Sequence, residues 1–208
     1  MVVALAKLFP ALRFIVQTSE SGPGTPTSRP SIPSSGGGRL FSPSMNGSRS
    51  PGTKLADLPP HLSSRITLQQ RTPAAPQSVK NAAVYILRLP SPSPSLPLSS
   101  ITSRAASELS AHLDVLRASP GSRLMLTALV LPAPGTVDLD TEAAARLRDL
   151  SLMQLANGRQ VERAELMDVL KRVRDSSGGL VLTNEIRSPS SPLVAFEVRY
   201  QAYNDPEI

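Results

Sequence analysis

Apolar positions fall into short blocks along the chain, and the spacing inside each block predicts its element. Val2 to Leu8 is spaced as a short helix ended by Pro10, and Arg13-Phe14-Ile15-Val16-Gln17 reads as a buried strand. Arg65 to Gln69 alternates like a strand, and Ala82 to Leu87 is a continuous apolar run suited to a strand covered on both faces. Ser103 to Arg117 places Ala106, Leu109, Leu113 and Leu116 at helical spacing, and Pro120-Gly121 ends that helix. Leu124 to Leu131 is the most hydrophobic strand of the chain. After a loop at Pro132 to Gly135, a helix from about Thr141 to Ala156 carries Ala143, Leu147, Leu150 and Met153 on one face, with Asn157-Gly158 as its stop. A further helix, Glu162 to Val173, buries Leu166, Val169, Leu170 and Val173. Gly179 to Ile186 and Leu193 to Tyr200 read as two strands joined by the loop Arg187 to Pro192, a hairpin. Strands alternating with helices and closing in a hairpin predict an α/β sheet, parallel except at one edge.

Composition divides this pattern. The 208 residues include 21 prolines and 12 glycines, of which eight and seven respectively lie between Gly22 and Pro60. The overlapping Ser-rich run Ser19 to Lys54 buries too little apolar surface to offset its ordering entropy, which predicts disorder. A second run, Leu89 to Ser100, alternates proline with serine; its prolines fix an extended backbone and remove amide donors, so neither helix nor central strand is expected there. The expected organisation is therefore a helix and strand at 1–17, a disordered insert at 18–60, and the remaining domain at 61–208, interrupted at 89–100.

Charge and residue inventory narrow the chemistry. The chain has no cysteine, which excludes a disulfide scaffold, a thiolate metal site and a cysteine nucleophile. A net charge of +6 arises from 18% charged residues, below the roughly 25% of an average chain. The basic residues are scattered and the three tyrosines do not cluster with them, so no nucleic-acid partner is expected. No apolar run reaches the 18 or so residues of a membrane span, so no membrane partner is expected and a cytoplasmic location is. Met1 to Val16, apolar with Lys7 and Arg13 and followed by serines, has the composition of a mitochondrial presequence, an alternative to the folded helix and strand. His61 reads as a loop residue and His112 as a partly exposed helical histidine. Asp138, Asp140 and Glu142 are spaced like oxygen ligands, but they precede a helix and suit its positive N-terminus, so they read as caps and no metal is expected. Glu162, Arg163 and Glu165 read as a solvated helix face, and Arg172 and Arg174 as cations suited to a helix C-terminus.

Four stretches carry a resemblance. They are Leu5-Ala6-Lys7-Leu8-Phe9-Pro10-Ala11-Leu12-Arg13-Phe14-Ile15-Val16-Gln17; Leu62-Ser63-Ser64-Arg65-Ile66-Thr67 with Pro76-Gln77-Ser78-Val79-Lys80-Asn81-Ala82-Ala83-Val84-Tyr85; Pro120-Gly121-Ser122-Arg123-Leu124 through Val130-Leu131-Pro132; and Arg148-Asp149-Leu150-Ser151-Leu152-Met153-Gln154-Leu155-Ala156-Asn157-Gly158-Arg159. In order and spacing they resemble the methyltransferase domain of fungal S-adenosylmethionine-dependent O-methyltransferases. The resemblance implies a partial Rossmann-like methyltransferase sheet with a C-terminal β-hairpin, interrupted by the disordered Pro/Ser/Gly-rich segments. It also implies S-adenosylmethionine as cofactor, a phenolic or polyketide small molecule as methyl acceptor, and two acceptor-pocket helices at Thr141 to Ala156 and Glu162 to Val173.

The site positions depart from that family. Its glycine-rich cofactor loop, first strand and N-terminal dimerisation region belong ahead of Met1, which makes the chain a truncated and degenerate copy by this comparison. The two Pro/Ser-rich runs stand where the family has short connections, which makes retained intronic sequence one expectation for them. The acid that binds the ribose hydroxyls falls on Thr18, and the acid near the adenine on Thr72. The general-base histidine belongs in Pro90 to Pro97, which contains none. The two acids that orient it fall on Ala128 and Gln160, with Glu162 two residues further on. A general base contributes about 10²–10⁴-fold in rate, so the resemblance implies an O-methyltransferase impaired or inactive as written. The alternative is a non-catalytic methyltransferase-like protein that binds a natural-product intermediate or partners an intact methyltransferase. With the family's first strand missing, the strands at Arg13 to Gln17 and Ala82 to Leu87 each lack a neighbour, and a marginal or aggregation-prone monomer is expected unless the chain pairs with another.

Overall fold

The computed structural model describes residues 2–18, 59–91, 93, 96–188 and 191–203. The insert expected at 18–60 lies almost wholly outside the described residues. Two compact units divide the chain, residues 1–73 and 74–208.

The first unit contains helix α1 (Val2–Leu8), strand β1 (Phe14–Thr18), the short helix α2 (Pro60–Ser63) and strand β2 (Ile66–Gln70). The same N-terminal residues that have a presequence composition thus fold as helix and strand. β1 and β2 pair in parallel, with Phe14 opposite Ile66 and Thr18 opposite Gln70. Ala6, Leu62 and Ile66 form the core, with Val2, Val3, Phe14 and Val16 against it. Arg65 ties the turn together: its Nη2 donates to Ala6 O at 2.7 Å, and its Nη1 to Pro10 O at 2.9 Å and Phe9 O at 3.1 Å. The end of α1 leaves its last carbonyls without helical partners, and the guanidinium fork supplies donors to them.

The second unit runs β3 (Val84–Arg88), α3 (Leu98–Ser110), α4 (Leu113–Ala118), β4 (Arg123–Leu131), α5 (Leu139–Ala156), β5 (Val161–Glu162), α6 (Arg163–Arg172), β6 (Gly178–Ser188) and β7 (Ser191–Ala202). Its sheet has the order β3-β4-β7-β6, with β5 paired to the end of β4. β3 and β5 run parallel to β4, whereas β7 runs antiparallel to both β4 and β6. The mixed α/β architecture expected from the alternating pattern is present, closing hairpin included. Leu124, Leu126, Ala128 and Val130 of β4, with Val194, Phe196 and Val198 of β7, meet apolar residues of α3, α4 and α6 in one core. α6 buries Leu166, Val169, Leu170 and Val173, the four residues its periodicity selects.

Several expectations are corrected. β3 is covered on one face only: Tyr85 is buried, while Val84 and Ile86 are 48% and 50% exposed. The apolar face of α5 does not point into the core, since Leu147, Leu150 and Met153 are exposed and Ala145 is its single buried residue. Periodicity marks a face as apolar, but whether another element covers it is a tertiary matter. The helix expected from Ser103 to Arg117 is two helices. At the break the His112 side chain bonds the Glu108 carbonyl, the usual acceptor of its own amide, and that amide turns to Leu109 O at 3.0 Å. The second Pro/Ser-rich run is not structureless, because Leu89 is buried, Leu96 packs against the core, and α3 opens at Leu98. Pro97 precedes that first turn, where a missing amide hydrogen costs nothing.

Candidate functional site

In open α/β sheets ligands bind beyond the carboxyl ends of the strands; Thr18 and Thr72 lie at that end of the first unit's strand pair, whereas in the second unit Ala128 lies within β4 and Gln160 just ahead of β5. Thr18 ends β1, and its carbonyl accepts from Arg71 N at 3.1 Å in the segment that follows β2. Thr72 is the next residue, so Thr18 and Thr72 lie at one end of the parallel pair, both exposed. In the second unit Ala128 is 2% exposed in β4, and Gln160 precedes β5, whose pairing with β4 begins at Val130 opposite Val161. Ala128 thus lies on β4, and Gln160 directly precedes the strand that pairs with the end of β4.

The turn that positions Gln160 is built from its own sequence. Asn157 ends α5 in the left-handed conformation, φ 47° and ψ 41°, a geometry that asparagine tolerates better than most residues. Asp149, back on α5, accepts from Gln160 N at 2.7 Å. Arg159 forks onto Glu165 at 2.6 and 2.9 Å, and Glu162 and Glu165 form a capping box at the start of α6. The Arg159 guanidinium holds the Glu165 carboxyl below its ordinary range. Glu162 and Glu165 therefore set the helix start rather than forming a bare solvated face, and Arg163 pairs with Glu185 at 2.9 Å. The Gln160 side chain is 1% exposed and its Oε1 makes no hydrogen bond among the described residues.

Chemically these positions offer no proton acceptor. Ala128 has no polar atom, and a glutamine amide does not take a proton near neutral pH. Glu162 caps α6 and carries none of the burial expected of a catalytic acid. His112 is buried, which corrects the partly exposed reading. A carbonyl oxygen only accepts, so His112 Nδ1–H donates to Glu108 O at 2.6 Å and Nε2 accepts from the Gln77 amide at 3.0 Å. Both ring nitrogens are committed to the core, with Tyr85 edge-on at 5.7 Å. His61 is exposed within α2 rather than in a loop.

The remaining candidates have structural roles. Asp138 caps α5 by accepting from Thr141 N at 2.9 Å, and hydrogen bonding from the Thr141 side chain, then from its amide, holds the Asp138 carboxyl below the ordinary range. Glu142 accepts from Gly135 N at 2.9 Å, and Asp140 is exposed in the first turn. Arg172 donates to Asp168 O at 3.1 Å in the last turn of α6, and Arg174 forms a backbone bridge with Gly179. Two open depressions flank α3, one lined by Ala74, Pro76, Ala106 and Ser107, the other by Thr102, Ser103, Arg172 and Val173; neither includes Ala128 or Gln160.

A cluster that sequence reading did not single out surrounds Asp175. Its carboxylate accepts from Ser177 N, Gly178 N, Tyr200 Oη and Arg117 Nη1 at 2.8 to 3.0 Å. These contacts, the Ser177 amide foremost, hold the Asp175 carboxyl below its ordinary range, while burial and the carboxylate push the Tyr200 hydroxyl up. The Asp-Ser-Ser-Gly turn before β6 was the available signal.

Thr18 and Thr72 offer hydroxyls where two carboxylates would accept from the ribose and contact the adenine, and these residues do not fit S-adenosylmethionine.

No family model matches the chain. Curated relatives do. The aflatoxin cluster transcriptional coactivator aflS of Aspergillus parasiticus is 42% identical over 205 residues, which cover 99% of this chain and 43% of that protein. The monodictyphenone cluster transcriptional coactivator mdpA of Emericella nidulans is 52% identical over 68% of this chain and 29% of that protein. The dothistromin biosynthesis regulatory protein aflJ of Dothistroma septosporum is 43% identical over 95% of this chain and 42% of that protein. The chain thus spans less than half the length of these relatives. Among solved structures, LepI in complex with SAM aligns with a TM-score of 0.58 at 16% identity, over 96% of this chain and 40% of that one. The methyltransferase CalO6 aligns with a TM-score of 0.57 at 18% identity, over 95% and 52%. At such identities the likeness is one of fold alone. The methyltransferase resemblance therefore holds for the architecture, whereas the sequence relatives carry regulatory names: the chain belongs to the family of fungal gene-cluster transcriptional coactivators, on a methyltransferase-like fold.

Proposed function

We propose that the chain is a non-catalytic methyltransferase-like module of a transcriptional coactivator serving a fungal biosynthetic gene cluster. The observation that carries this reading is the pairing of an intact core with empty chemistry. β4, β7, α3 and α6 keep a continuous apolar interior, while the family's acid positions hold Ala128 and the buried amide Gln160. A site that has lost its proton acceptors and kept its packing serves as a binding scaffold. The names of aflS and mdpA as cluster coactivators supply the biological setting. This favours the non-catalytic alternative over methyl transfer to a hydroxyl of a polyketide, for which the described residues provide no base. Action on transcription also moves the expected location from cytoplasm to nucleus.

Two experiments test the reading. Deleting the gene is expected to lower the transcripts of neighbouring biosynthetic genes together, and a copy carrying Gln160→Ala is expected to restore them. Unchanged transcripts, with loss of one methylated product, would count against it. Calorimetric titration of the purified chain with S-adenosylmethionine is expected to show no heat of binding; micromolar binding with methyl transfer would establish the enzyme instead.

A further inference from the structure

Residues 74–82 precede β3 in the second unit and form neither helix nor strand. Hydrogen bonds strap them to the break between α3 and α4 and to β3. Ala74 N donates to the Glu108 carboxylate at 3.1 Å, Gln77 N to Ala111 O at 3.0 Å, and the Gln77 amide to His112 Nε2 at 3.0 Å. Val79 N donates to Gln77 Oε1 at 3.0 Å, and the Val79 carbonyl accepts from Tyr85 Oη at 2.9 Å. Near its two ends the strap is left-handed, with φ 59° at Ala74 and 58° at Asn81. Asparagine tolerates that conformation, whereas alanine adopts it seldom. Such backbone persists where its surroundings hold it in place, and at Ala74 the holder is the Glu108 carboxylate.

This network admits one protonation state of its histidine. Val79 N–H only donates, so the Gln77 atom it meets is the carbonyl oxygen, and the Gln77 NH2 group faces the ring. Nε2 therefore presents a lone pair, while Nδ1, 2.6 Å from the Glu108 carbonyl oxygen, carries the hydrogen. A second proton on the ring sets a donor against a donor. Turning the Gln77 amide over restores that contact, but it points the NH2 group at Val79 N–H. Protonation of His112 thus removes one bond from the strap whichever way Gln77 turns.

We propose that His112 is a pH-sensitive latch: its neutral ring holds the strap 74–82 closed, and its protonation releases the strap. Two other ionisable groups belong to the network, Glu108 bonded to Ala74 and Tyr85 bonded to Val79. The charges on the surrounding elements are exposed: Lys80 in the strap, Arg104 on α3, Arg88 on β3, and Asp114 paired with Arg117 on α4. An open depression lies between the strap at Ala74 and Pro76 and the α3 residues Ala106, Ser107 and Ser110, with Ala111 beside His112. Release of the strap widens that depression toward the buried ring. The inference stands apart from the transcriptional reading.

Amide exchange of the purified chain, followed by NMR and corrected for the intrinsic effect of pH, tests this. Between about pH 8 and about pH 5, the interval in which histidine changes charge, protection of the Gln77 and Val79 amides is expected to fall about tenfold, while Leu126 in β4 keeps its protection. The chain has two histidines, and the exposed His61 supplies the reference signal for the ring nitrogens. His112→Gln, which offers an acceptor and a donor without a titrating ring, is expected to abolish the fall. Gln77→Glu, which gives an imidazolium a carboxylate to bond, is expected to keep the strap protected at the lower pH. Glu108→Gln keeps an acceptor for Ala74 and is expected to leave the fall in place. Strap protection that is independent of pH in the wild type, a fall that survives His112→Gln, or one that Glu108→Gln removes overturns the proposal. Should His112→Gln not fold, a fall that persists in Gln77→Glu overturns it by itself.

Discussion

Asp175 shows how a single side chain organises a turn. It gathers two backbone amides, a tyrosine hydroxyl and a guanidinium, and its carboxyl is held below the ordinary range as a result. A carboxyl depressed in the folded state contributes stability that is present above its unfolded value, near 3.9, and is lost as pH falls through the folded value. Urea denaturation of the wild type and of Asp175→Asn is therefore expected to show a stability difference that is constant near neutrality and shrinks below about pH 4. A difference independent of pH would show that the charge is not what the turn uses. At the same scale, residue identities at 18, 72, 128 and 160 are read directly from the sequence, and no folding gives Ala128 or Gln160 a carboxylate. His112 was not legible, because its burial depends on Gln77 and Tyr85, both distant in sequence.

Helices α5 and α6 make the contrast at the level of elements. Both have apolar residues at helical spacing, yet α6 seals the core with Leu166, Val169 and Leu170 while α5 presents Leu147, Leu150 and Met153 to the outside. Leu147→Gln and Leu150→Gln keep helix propensity nearly unchanged and are expected to alter stability by no more than about 0.5 kcal/mol. Leu166→Ala is expected to cost about 2–5 kcal/mol. Chemical denaturation measures both, and a large loss at Leu147 or Leu150 would show that the face is covered in solution. Strand β3 makes the same point, because an uninterrupted apolar run reads as covered on both sides whether or not a neighbour is present.

For the whole molecule, the two units differ in the means that hold them. The first has a three-residue buried core and a two-stranded parallel sheet, whereas the second packs β4 and β7 of a five-stranded sheet against three helices. Two-stranded sheets are marginal by themselves. Amide exchange is therefore expected to be faster in β1 and β2 than in β4 and β7, and equal protection would count against this ranking. By itself the sequence determined most of the strands and helices, their alternation and the closing hairpin. These depend on local periodicity, turn residues and residue identity. Only the tertiary structure decided that β7 enters antiparallel between β4 and β6, that α5 and β3 leave apolar residues uncovered, and that His112 belongs to the core. The physical reason is that coverage and pairing are properties of two surfaces, and a periodic pattern describes one of them.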